Sequence, residues 1–171
     1  QLDGAPVNEE MISVSKEGMI IRGLPRQAVF TLETSVRIHP EKNTELMGLY
    51  ATSNNFCTQC EAEGFRRITF FPDRPDILSV YTVRLEADAD AVPLLLSNGN
   101  NVEAGALGDG KHYVVWHDPH PKPSYLFAVF AGDLAKVTDN FTTASGRDVV
   151  LEIYVEHGKQ ARALYAMDAL K

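Results

Sequence analysis

Short runs of alternating apolar and polar residues, broken by turn residues, dominate this sequence and leave little room for any fold but a mainly β one. In "AVFTLETSVRI" (28–38), Phe30, Leu32, Val36 and Ile38 share one face, while Glu33 and Arg37 take the other. "ILSVYTVRL" (77–85) puts Ile77, Tyr81, Val83 and Leu85 on one side. "PLLLSNGNNV" reads as an apolar strand entering a Ser-Asn-Gly-Asn turn, and "GALGDGKHYVVWHD" as a Gly-Asp-Gly turn followed by a strand through Tyr113 to Trp116. "PSYLFAVFAGD" (123–133) is apolar on both faces and predicts a buried central strand, and "RDVVLEIYV" (147–155) predicts another. A helix is expected only at the end, beginning near Arg162, where Leu164, Met167 and Leu170 recur at a spacing of three.

The expected architecture is therefore an antiparallel curved sheet or β-sandwich. The polar, turn-rich stretch 131–148 suggests a domain boundary, dividing residues 1–135 from residues 136–171. A chain of 171 residues is long enough for one domain and part of another.

Composition excludes several function classes. The net charge of −7, with no basic run longer than Arg66-Arg67, argues against nucleic acid, whose phosphates need many cations. It also disfavours an anionic membrane surface, and no apolar run approaches the roughly 18 residues that span a bilayer. A cationic ligand such as an amine suits this charge balance. The first residues, "QLDGAPVNEE", carry no signal-peptide pattern and no initiator methionine, which suggests a piece of a longer chain. Two cysteines are too few for a disulfide scaffold, so a reducing, cytoplasmic setting is expected.

Both cysteines lie in Cys57-Thr-Gln-Cys60. With His117 and His120 of "HDPHP" they could complete a four-ligand zinc site, although that segment reads as a proline-punctuated turn. A redox dithiol would need a strand-to-helix setting that the pattern lacks, and Glu61 and Glu63 would oppose a thiolate. Small buried side chains are the simplest reading of the pair. No G-x-S-x-G, phosphate loop or H-E-x-x-H occurs.

The remaining signal is "TQCEAEGFRRITFFPDRPD" together with "PKPSYLFAVFAGD". Over essentially the whole chain these segments resemble the N-terminal domain of the aminopeptidase N family of zinc metallopeptidases, most closely its bacterial branch. The resemblance implies a concave β-rich saddle, beginning after the family's first strands and packed on its own thermolysin-like α+β catalytic domain, which would start at residues 136–171. It implies that Glu61 binds the free α-amine of a peptide substrate and that Gln59 lines the pocket for the first side chain. Zinc would belong to the full-length enzyme and not to this stretch, which should be inactive alone. Arg74 stands where many relatives carry glutamate.

From the residues alone Glu61 reads as a solvated glutamate in a polar loop, but the charge chemistry fits the role that the resemblance implies. A carboxylate attracts an ammonium group and is left desolvated and unpaired if an uncharged chain enters. Arg66 and Asp73 are expected to pair and brace the loop, with Pro72 and Pro75 stiffening it; Glu63 is expected to be solvated. Two other readings remain open from the residues: a free-standing β-sandwich peptide-binding module, and a small domain built on zinc.

Overall fold

The computed structural model describes residues 1–16, 18–24, 26, 29–53 and 55–171. It is mainly antiparallel β. The strands are β1 (Ile12–Val14), β2 (Met19–Ile21), β3 (Gly48–Thr52), β4 (Asn55–Gln59), β5 (Ser79–Asp88), β6 (Leu94–Ser97), β7 (Asn100–Ala106), β8 (Lys111–Lys122), β9 (Val129–Gly132), β10 (Ala135–Thr142) and β11 (Asp148–Val155); a helix, α1 (Ala163–Ala169), follows. They form a four-stranded sheet in the order β3-β4-β9-β6, a three-stranded sheet β5-β8-β7, and two hairpins, β1-β2 and β10-β11.

Alternation explains the long strands. In β5 the inward positions Tyr81, Val83 and Leu85 are buried or half-buried, and Val80, Thr82, Arg84 and Glu86 are exposed. This strand runs against β8 from Tyr81↔Asp118 to Asp88↔Lys111. Asn98 and Gly99 carry the chain from β6 in one sheet to β7 in the other. Gly99 sits at φ +86, and a Cβ there would collide with the backbone of His117 and Asp118, so only glycine fits the crossing. The indole of Trp116 on β8 donates to the Leu95 carbonyl of β6 at 3.0 Å, linking the two sheets.

The core lies beneath the segment that joins β4 to β5. Cys60, Phe65 and Tyr81 are buried, with Ile68, Phe71, Val83 and Phe127 packed against them. Phe65 makes edge-on contacts with Phe71 at 5.0 Å and Phe127 at 4.8 Å. Each such pair contributes about 0.5–1.5 kcal/mol beyond area burial.

Several expectations are corrected. Ala28 lies outside the described residues, and 29–38 form no regular strand; Leu32 makes one isolated bridge to Leu2. An alternating segment needs a ladder to lie on, and residues 1–3 offer only a short one: Asp3 N–H donates to the Thr31 carbonyl at 2.8 Å and Glu33 N–H to the Gln1 carbonyl at 2.9 Å before the Leu2↔Ala5 turn ends the pairing. Phe30, Leu32 and Val36 are consequently exposed. The "HDPHP" segment belongs to β8 and is no turn; Pro119 and Pro121 fall beside a register irregularity between Ser79 and Tyr81, where a missing N–H costs little. Only the second half of 123–133 is a strand: Ser124–Leu126 form a 3-10 turn before β9 takes its interior place. In α1 the buried residues are Ala163 and Met167, one helical turn apart, while Leu164 and Leu170 are exposed. The buried pair follows the i, i+4 spacing of an α-helix rather than the spacing of three read from the sequence.

Candidate functional site

The C-x-x-C segment occupies the end of a hairpin. β3 and β4 pair with Tyr50 opposite Cys57 and Gly48 opposite Gln59, so Gln59 is the last residue of β4. Cys60 then turns into the core, and residues 61–63 stand exposed before Gly64 and Phe65 return inward. The turn is closed by the Gly64 N–H donating to the Cys60 carbonyl at 2.8 Å. The Glu61–Ala62 peptide is cis. The side-chain amide of Gln59 donates to the Glu61 carbonyl at 3.1 Å, tying those two residues together.

The two exposed carboxylates of the turn differ. Glu63 lies 3.4 Å from the Arg66 guanidinium, so it is exposed but not merely solvated. The Glu61 carboxylate has no hydrogen bond or ion pair among the described residues.

Behind the turn sits a buried carboxylate. Asp73 is only 7% exposed, and its Oδ2 accepts from the backbone N–H and the Nε of Arg66, both at 3.0 Å. Arg66 also donates to the Asp73 carbonyl at 2.7 Å, and the Ser124 hydroxyl donates to Asp73 Oδ1. Burial pushes the Asp73 carboxyl up, but the hydrogen bonds from Ser124 and Arg66, with the charge of Arg66, outweigh it and hold it below the usual carboxylate range. Close by, Lys122 is buried, paired with Asp118 at 2.6 Å and set over the Tyr81 ring at 4.5 Å.

Both thiols are shifted away from the ionised form. Burial, with a smaller contribution from Asp73, pushes the Cys60 thiol up to about 11, and burial raises Cys57 as well. A thiolate, which both zinc ligation and disulfide exchange require, is disfavoured at each. His117 lies on β8 in the other sheet, with Nδ1 2.9 Å from the Thr82 hydroxyl. Among the described residues, no three of the His, Cys, Asp and Glu side chains converge as metal ligands would. No helix among them is long and apolar enough to cross a membrane.

Residues 6–126 match the family described as the peptidase M1 N-terminal domain. The chain belongs to that family. It is 53% identical over 170 residues to aminopeptidase N of Caulobacter vibrioides and 49% identical over 168 residues to aminopeptidase N of Escherichia coli. These alignments take in 99% and 96% of this chain but 19% of each relative. The fold agrees with that of Legionella pneumophila aminopeptidase A in complex with aspartic acid, at a TM-score of 0.90 and 35% identity over 99% of this chain and 20% of that one. An M1 zinc metallopeptidase of Deinococcus radiodurans, solved with a Tyr-Ser-Ala substrate, shares the fold over 69% of this chain and 29% of its own, at a TM-score of 0.56 and 19% identity.

For this M1 N-terminal domain, sequence reasoning named Gln59, Glu61, Arg66 and Asp73, and all four lie in one segment running from the end of β4. It passed over Ser124, whose hydroxyl meets the buried Asp73 carboxylate. A single serine between proline and tyrosine gives no periodic or motif signal.

Proposed function

We propose that this chain is the substrate-amine recognition part of a longer zinc aminopeptidase that removes N-terminal residues from peptides. Glu61 is the anchor for the free α-ammonium group, and Gln59 lines part of the first side-chain pocket. One observation carries this reading: Arg66 engages both Glu63 and Asp73, while the Glu61 carboxylate, at the exposed tip of a braced turn, has no partner of its own among the described residues.

The chemistry follows from charge. At about 4 Å and an effective dielectric of about 20, an ammonium and a carboxylate attract by about 4 kcal/mol before desolvation costs. An acylated or internal amine brings no charge and leaves the carboxylate unpaired. Such a contact fixes the register of the peptide, so that only its first peptide bond reaches the reacting centre. Among the described residues no three His, Cys, Asp or Glu side chains converge as zinc ligands would, so the zinc of this reading belongs to the rest of the enzyme. The chain's own contribution is binding and orientation, and alone it is expected to hydrolyse nothing. Residues 136–171, with the β10-β11 hairpin and α1, would begin the catalytic domain on which residues 1–135 pack.

The test is Glu61→Gln in the full-length enzyme. Loss of one charge-assisted contact predicts a fall in kcat/KM of about 10- to 100-fold on aminoacyl substrates. Glu63→Gln, one residue beyond Ala62, should change it less than about 2-fold. An unchanged kcat/KM for Glu61→Gln refutes the anchor role.

A further inference from the structure

The turn that carries Glu61 is held at both ends. At its start, Cys60 is buried at the end of β4. After it, Phe65 is packed among aromatic rings and Arg66 is bound through its backbone N–H and its guanidinium to Asp73. Asp73 in turn depends on a residue more than fifty positions away. Both of its carboxylate oxygens are occupied, Oδ2 by Arg66 and Oδ1 by the Ser124 hydroxyl. Ser124 is 1% exposed.

The surroundings of Ser124 are tied down by burial and hydrogen bonds. Lys122 is buried two residues before it, and Phe127 joins the aromatic core three residues after it. Asn98 receives the Ala128 N–H at 2.7 Å and donates to the Leu126 carbonyl at 3.1 Å. Turning about the Asp73 Cβ–Cγ bond moves both oxygens together, so the Ser124 bond at Oδ1 adds a restraint, from outside the turn, on the oxygen that holds Arg66. Without the Ser124 hydroxyl, the Asp73 carboxylate keeps only its Arg66 bonds among the described residues, and the pair loses its tie to the β8–β9 connection.

We propose that Ser124 is a positioning residue for substrate binding: through Asp73 and Arg66 it fixes the backbone that presents Glu61 to the free α-amine of a peptide. This rests on the reading of Glu61 as the amine anchor. The coupling runs from the β8–β9 connection, through one buried carboxylate, to the turn after β4.

A double-mutant cycle in the full-length enzyme tests it. Ser124→Ala should lower kcat/KM by about 5- to 30-fold, mainly through KM, when Glu61 is present, and by less than about 2-fold in the Glu61→Gln background. Ser124→Cys keeps nearly the same volume and a weaker donor, so it should restore part of the loss. It also carries the cycle if circular dichroism shows that Ser124→Ala does not fold. Equal losses in both backgrounds would make Ser124 merely structural and overturn the proposal, while leaving the anchor intact. A Glu61→Gln variant with unchanged kcat/KM would overturn both, so the two failures are told apart by the single variant.

Discussion

Asp73→Ala is expected to cost about 3 kcal/mol of stability, at the lower end of the 3–5 kcal/mol typical when one partner of a buried pair is removed. The substitution strips the acceptor from the Arg66 backbone N–H, from the Arg66 guanidinium and from the buried Ser124 hydroxyl at once. The guanidinium is half exposed and can turn to water, which keeps the loss from the upper end. Urea or thermal unfolding measures it, with Asp76→Ala as the control. Asp76 pairs with Arg74 at the surface, and its removal should stay within about 0.5 kcal/mol. The same group predicts an acid response. Its folded pKa lies below the ordinary value, so its stabilisation is fully present above the unfolded carboxylate pKa of about 3.9 and is lost as pH falls through the lower folded value. Asp73→Asn should therefore flatten the stability profile in that acid range; a profile identical to that of the parent chain would show that Asp73 is not responsible.

Gly64→Ala should destabilise by about 3 kcal/mol and displace the turn that carries Gln59 and Glu61. The cause is space, since Gly64 sits at an ordinary φ of −80. A Cβ there would collide with the Gln59 carbonyl oxygen and would lie 2.8 Å from Cys60 Cα and 2.9 Å from Met47 Sδ. The first two are backbone atoms and cannot swing aside, so the Gly64-to-Cys60 hydrogen bond must open. Gly108 has open space around its Cβ direction, and Gly108→Ala should leave stability within about 0.5 kcal/mol. If the two alanines behave alike in unfolding experiments, the close approach at Gly64 does not constrain the turn.

The strands most readily read from sequence are those with one buried face and strong alternation, β5 and β11. The same rule over-read 28–38, because periodicity reports what a face could bury and not whether a partner is present. It under-read β10. "AKVTDNFT" looks polar, yet Ala135, Val137 and Phe141 turn inward against β11 with intervening residues exposed. The β3-β4 hairpin was hidden by its own chemistry. Two cysteines at metal-like spacing invite readings as ligands, whereas Cys57 is a strand residue and Cys60 a core residue. Arg66 and Asp73 were legible as complementary charges on one segment. The roles proposed for Glu61 and Gln59 come from family resemblance, because an exposed glutamate carries no distinguishing pattern. Ser124 was not legible, since its importance arises only from the tertiary meeting of β8's end with Asp73.

The central claim is that one carboxylate reads the substrate's free amine. Its most direct test is the affinity of the full-length enzyme for an amino acid amide and for the N-acetylated form of the same compound, with and without Glu61→Gln. The parent enzyme should prefer the free amine by about 30-fold or more, and Glu61→Gln should reduce that preference to within a few-fold. Full preference retained by the variant would contradict the account, because the amine would then be recognised by some group other than Glu61.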